Sequence, residues 1–158
     1  MRITLSNPEI YTCRMLGVMR RSTAKDRVVD QSVGKENPWA MDMDGVIGEF
    51  CVAKILNLWP DLTIGVRKGG ADLITQKGTT IDVKTTRIKY GKLLATLSKA
   101  SDPCDAYVLA IVDDNGCNIA GWASKEMLFK QENINDLGHG NGYCLAQDQL
   151  KKDIHEIY

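Results

Sequence analysis

A chain of 158 residues is long enough to bury a sizeable core, and its simplest organisation is one domain. Hydrophobic content of 44%, charged content of 25% and a formal net charge of zero place it among ordinary globular proteins. They exclude a disordered polyelectrolyte and any global positive field drawing the protein to nucleic acid.

The opening MRITLSNPEIY lacks the apolar region of a signal peptide, and no later run approaches a membrane span. Five scattered cysteines, Cys13, Cys51, Cys104, Cys117 and Cys144, form no C-x-x-C pair. They argue for a reduced, cytoplasmic setting rather than a disulfide framework or zinc site. Ser6 or Asn7 can cap a first helix, with Pro8 at its opening position, running to about Lys25. Ile10, Cys13, Leu16, Val18 and Met19 form its apolar stripe. Arg14, Arg20 and Arg21 flank it, either as solvated surface charge or as a DNA-backbone contact. Residues 30–40 read as a loop broken at Asn37-Pro38.

Asp42 or Asp44 can cap a second helix, GVIGEFCVAKILNLW, which ends before Pro60. It is apolar almost all round, so it belongs in the interior. Glu49 is its only acid, and a carboxylate there must be paired or bound to a metal. Lys54 lies too far round the helix to be that partner. Gly45 and Gly48 each cost about 1 kcal/mol against Ala, which makes sense if something approaches closely near Glu49.

Leu62–Val66 reads as a short strand leading into RKGGADLITQKGTTIDVKTTR, residues 67–87. Within it, 72–76 and 79–85 flank a Lys77-Gly78 turn and read as a β-hairpin. A three-residue loop with left-handed Gly78 pairs Thr75 with Thr79, Leu73 with Ile81 and Asp72 with Asp82. Two carboxylates then face each other with Cβ atoms about 5 Å apart, and Lys84 shares their face. A two-residue loop would instead put the acids on opposite faces. Like charges so placed call for compensation, by a divalent cation held by hard oxygens or, more plainly, by Lys84 on a solvated strand. Residues 67–99 carry eight basic side chains against Asp72 and Asp82, whereas residues 101–158 hold four basic against ten acidic.

KYGKLLATLSKASDPCD is ambiguous between a short helix and an irregular segment. Ala106–Val112 is a continuous apolar run, the mark of a central strand. Asp113-Asp114-Asn115-Gly116 turns into a partner strand, 117–123. Ser124 caps a helix to about Gln131. Gly138–Gly142 reads as a plain loop, Tyr143–Ala146 as an edge strand and Gln147–Ile154 as a short helix. His139 and His155 lack metal-ligand spacing, and Trp39, Trp59 and Trp122 read as core.

Gly48-Glu49, Gly69-Gly70-Ala71-Asp72 and Ile81-Asp82-Val83-Lys84-Thr85-Thr86, in this order on helix, strand and strand, resemble the PD-(D/E)XK nuclease superfamily. The likeness runs from about Gly45 to Ala123, including the strand of Asp105–Val112 and Gly121-Trp122. It implies a restriction-endonuclease-like α/β (α+β) fold, with a mixed four- to five-stranded sheet flanked by helices. Residues 1–40 would be a helical extension, 41–131 the catalytic core and 132–158 a C-terminal strand and helix. It implies that Asp72, Asp82, the Val83 carbonyl and, through water, Glu49 bind magnesium or manganese. Lys84 would then orient the attacking water. Arg67, Lys68, Arg87, Lys89 and Lys92 would line the approach of DNA phosphates, or equally serve as solubilising charge. The motif's Pro-Asp appears here as Ala71-Asp72, while a literal Pro60-Asp61 lies upstream; the register favours Asp72. The implied activity is a metal-dependent endo- or exodeoxyribonuclease, directed by DNA structure or ends. A dimeric Holliday-junction resolvase and a non-catalytic binding or assembly protein on the same fold are the alternatives. RNA stays open as substrate, because a phosphate-centred site does not read the sugar.

Overall fold

The computed structural model describes residues 1–24, 37–65, 70–138 and 140–157. Strand β1 (Arg2–Thr4), which nothing in the local pattern announces, precedes α1 (Asn7–Ala24). Ser6 closes a capping box: its backbone N–H and hydroxyl donate to Glu9 Oε2 at 2.6 and 2.8 Å. Ile10, Cys13 and Leu16 are buried, whereas Val18 and Met19 stay largely exposed, so the stripe is narrower than expected.

Helix α2 (Pro38–Ile55) begins earlier than Asp42 or Asp44. Asn37 is its cap, accepting from Trp39 N at 3.0 Å, with Pro38 in the first turn. The Asn-Pro pair expected to break the chain is the helix start, because proline lacks only an N–H that the first turn leaves unpaired anyway. The helix stops at Ile55, where Asn57 takes a left-handed φ of 53°. Trp59 therefore leaves the helix and is 83% exposed, contrary to its expected place in the core. Trp122 is buried. A Cβ on Gly17 would stand 2.7 Å from Met43 Cα, so α1 and α2 cross closely.

The main sheet is β1-β6-β5-β3-β2, with β2 (Leu73–Ile74), β3 (Thr80–Thr86), β5 (Ala106–Asp113) and β6 (Gly116–Ser124). Only β3 and β5 run parallel, so the sheet is mixed and five-stranded, and the chain is mixed α/β. The apolar run at 106–112 is its central strand. β3 and β5, being parallel, need a crossover. That crossover contains β4 (Leu93–Thr96) and a 3-10 turn, Leu97–Ser101, which settles the ambiguous segment. Asp105 pins the two strands together. Its Oδ2 accepts from Thr80 N and Oγ1 at 3.0 and 2.8 Å, and its own N–H donates to Thr80 Oγ1.

A second sheet, β4-β8-β7, uses β7 (Ile134–Asp136) and β8 (Asn141–Leu145). The expected edge strand at 143–146 is thus the middle strand of a small sheet, since it finds a neighbour on each side. Val108 and Ala110 of β5 pack toward α1 and α2, while Tyr107 and Leu109 pack with Leu93, Leu128 and Leu145. The main sheet therefore separates two cores, as a layered fold requires.

Helix α3 (Lys125–Leu128) is one turn capped by Ser124. The helix expected at 147–154 is absent; 3-10 turns occupy Gln147–Gln149 and Ile154–Ile157. No strand forms at 62–65, and Val66 lies outside the described residues, as does His139. Among the described residues no helix is long and apolar enough to cross a membrane.

Candidate active site

The hairpin has the three-residue loop. Thr75 N donates to Thr79 O, Gly78 N donates to Thr75 O, both at 2.9 Å, and Gly78 takes φ +88°. Leu73 pairs with Ile81, where the regular ladder ends, and Asp72 N donates to Ile81 O at 2.8 Å. β3 runs on beyond its short partner, leaving an open edge at Val83. Asp72 closes it with a side chain: Oδ2 accepts from Val83 N at 2.7 Å. A residue's N–H and C=O leave an extended strand on the same side, so the Val83 carbonyl faces that edge too.

Here lies a cleft of about 340 Å3, lined by Glu49, Gly70, Ala71, Asp72, Asp82, Val83, Lys84 and Lys99. The three predicted acids and the predicted lysine all reach it. Asp82 and Lys84 stand on the sheet face of Tyr107 and Leu109, their neighbours on β5. Glu49 comes from the other side, where α2 lies so close that a Cβ on Gly48 would sit 2.3 Å from Thr85 Cγ2. The close approach expected near Glu49 is real at Gly48. Gly45 has open space around it and plays no such part.

Among the described residues Asp82 is the most enclosed charge, 2% exposed. Lys99 Nζ donates to its Oδ2 at 2.9 Å and also reaches Gly70 O at 3.4 Å. Lys84 Nζ stands 2.6 Å from Oδ1 as an ion pair. That contact lacks hydrogen-bond alignment, so Oδ1 is buried without a hydrogen bond. Burial opposes the charge on Lys99, but the hydrogen bond and charge of Asp82 outweigh it and raise the ammonium above the usual lysine range. Cys104 backs the cleft, its thiol pushed up to about 11 by burial and then by the Asp82 charge.

Glu49 is buried and paired with Arg20, Nη1 to Oε2 at 2.8 Å. The other guanidinium nitrogens donate to Thr63 O at 3.2 Å and Asp61 O at 2.7 Å, stapling the chain after α2. Lys54 instead pairs with Glu9 at 2.9 Å. Asp61 holds its own turn, Oδ1 accepting from Thr63 N, and is not part of the lining around Asp82 and Lys84.

Of the predicted phosphate-facing residues, Arg67 and Lys68 lie outside the described residues. Arg87 is bound to Asp44 at 2.6 and 2.8 Å and to Asp114 at 3.1 Å. Lys89 sits 5.2 Å from the Tyr90 ring centre, and Lys92 lines a separate cavity beside Asp136. None of these three lines the cleft. Two further residues matter to it that no local pattern marks, Lys99 in the lining and Arg20 on Glu49. Both arrive from distant elements, and a single acid on an apolar helix is the sequence's one sign that a cation such as Arg20 must come.

Among the described residues, no three His, Cys, Asp or Glu side chains cluster closely enough to hold an ion. Asp72 and Asp82 are the two hard-oxygen donors that share the cleft and could hold one, with Lys84 and Lys99 now against the two oxygens of Asp82. Glu49 is committed to Arg20 in this arrangement. No protein-family model and no curated protein matches the chain.

Proposed function

We propose that this chain is a metal-dependent nuclease of the PD-(D/E)XK type, hydrolysing DNA phosphodiester bonds with a preference for DNA structure or ends. The observation that carries the reading is one polar cleft, at the open edge of β3, shared by Asp72, Asp82 and Lys84. A lone acid pair on a solvated strand would leave Asp82 hydrated; instead it is buried, with an ammonium group against each of its oxygens.

Asp72 and Asp82 would hold magnesium or manganese, with the Val83 carbonyl beside them, while Glu49 stays paired with Arg20. The bound ion would lower the pKa of a water and clamp phosphoryl oxygens. Lys84 would orient that water and set a compact positive charge against the negative charge growing on the phosphate. Asp72 would also keep the Val83 edge in place through its hydrogen bond.

The test is incubation with supercoiled plasmid, linear duplex, single strands, a four-way junction and RNA, with magnesium or with a chelator. Wild type should cut at least one DNA, and the chelator should abolish cutting. Lys84→Ala should lower the rate by about 100-fold or more at a temperature where its circular dichroism shows it folded, and Asp82→Asn should match or exceed that loss. Wild-type protein that binds these nucleic acids and cuts none would replace the enzyme by a binding or assembly protein. Cutting confined to the junction, by a dimer, would favour the resolvase form.

A further inference from the structure

We infer that the outer face of α1 is a self-association surface, and that its occupant is a second copy of this chain packed antiparallel about a two-fold axis at Met15. The inference stands apart from the nuclease reading. A helix that covers a core normally turns a charged face to water. Here Tyr11, Thr12, Met15, Val18, Met19 and Ser22 point outward, all exposed and all uncharged. At 3.6 residues per turn they lie within about 60° of Met15. The charges of α1 are elsewhere. Glu9, Arg20 and Arg21 pair with Lys54, Glu49 and Asp42 of α2, and Arg14 lies about 100° round from Met15.

Leu62 and Ile64 widen this face, because Arg20 holds their stretch through the carbonyls of Asp61 and Thr63. With Tyr11, Met15, Leu16 and Met19 they wall an open groove of about 410 Å3. Both hydroxyls on the face are already satisfied: Thr12 donates to Pro8 O and Ser22 to Val18 O, each at 2.9 Å. Covering them therefore strands no donor. Three further points select a second copy. Residues equally far before and after Met15 meet across an antiparallel two-fold, so Tyr11 falls on Met19, Thr12 on Val18 and Met15 on itself. Every such pair is uncharged, and each copy's Tyr11 ring enters the other's groove. The exposed side chains of Tyr11, Met15, Val18, Met19, Leu62 and Ile64 offer on the order of 600 Å2 per copy. Two copies would bury about 1,200 Å2, where stable specific interfaces begin. A formal net charge of zero sets no repulsion between copies. With Arg20 and Arg21 turned to α2, Arg14 is too little positive charge to hold this helix on a membrane surface.

The test is sedimentation velocity of the purified full chain up to about 100 μM, above the micromolar range expected of an interface this small. Wild type should sediment as a species of twice 17.5 kDa. Met15→Glu and Met15→Lys each set like charges together on the axis and should weaken the dimer by about 100-fold or more. Met15 is 60% exposed, so the circular dichroism of both variants should match wild type. Mixed in equal amounts, the two variants should dimerise again, because opposite charges then meet. Wild type that stays monomeric would overturn the inference, whether it remains free or sediments with phosphatidylserine vesicles. A dimer that survives both substitutions, or variants that stay monomeric when mixed, would overturn it too. None of these outcomes bears on whether the chain cuts DNA.

Discussion

Arg20 serves a buried acid and a chain reversal together. It pairs with Glu49 and donates to the carbonyls of Asp61 and Thr63. Removing one partner of a buried ion pair leaves an uncompensated charge, at about 3–5 kcal/mol. Arg20→Met should therefore lower unfolding stability in urea by about 3 kcal/mol, and Glu49→Gln should cost less, since it keeps an oxygen for the guanidinium. Equal, small losses in both would show that the pair is solvated. Neither arginine nor acid announces the other in the sequence, 29 positions apart.

Three contacts between elements respond to substitution or pH in ways that can be worked out. Gly48→Ala drives a methyl group into Thr85 Cγ2, and overpacking of this kind costs about 1–3 kcal/mol. Thr85→Ala removes the obstructing carbon, so the double variant should recover most of the loss, read by a double-mutant cycle. The pH response comes from Asp105 and Glu9. Thr80 N–H, Lys125 and the Thr80 hydroxyl hold Asp105 down at about 2. Lys54, then the Ser6 N–H and hydroxyl, hold Glu9 at about 2. Unfolded carboxyls titrate near about 4, so the folded state binds these protons more weakly. The stability they supply is full above pH about 4 and is lost as pH falls through about 2. Asp105→Asn should flatten part of that acid limb in urea titrations. Asp105 is 43% exposed and Glu9 34%, so added salt should shrink the effect.

At the scale of the whole molecule, the last residues close the structure over β6. Trp122 and Lys151 exchange backbone hydrogen bonds at 2.9 Å, and the Trp122 indole donates to Asp153 O at 2.8 Å. Ile154 and Ile157 enter the helix-side core, while Leu150 enters the other. Gly121 makes room: at φ +148° a Cβ would stand 2.6 Å from Lys151 O. A chain ending at Gln149 should therefore lose its near-ultraviolet circular dichroism and its cooperative melt, because both cores would open. Unchanged melting would show the tail to be an ornament. The sequence reads Gln147–Ile154 as a short helix, and the 3-10 turns found there make sense only against a sheet already built.

What the residue order determined alone were the features set by neighbours in the chain. Gly78 three positions after Thr75 selects the hairpin loop; an unbroken apolar run at 106–112 selects a central strand; Ser6 and Glu9 close a cap between themselves. These depend on local geometry that any partner must accept. Tertiary structure decided the rest. It placed Lys99 on Asp82, Arg20 on Glu49, Arg87 on Asp44, and a neighbour on each side of β8. Such pairings come from packing the two cores, which buries specific charges and leaves each to be met by whichever opposite charge the fold brings within reach.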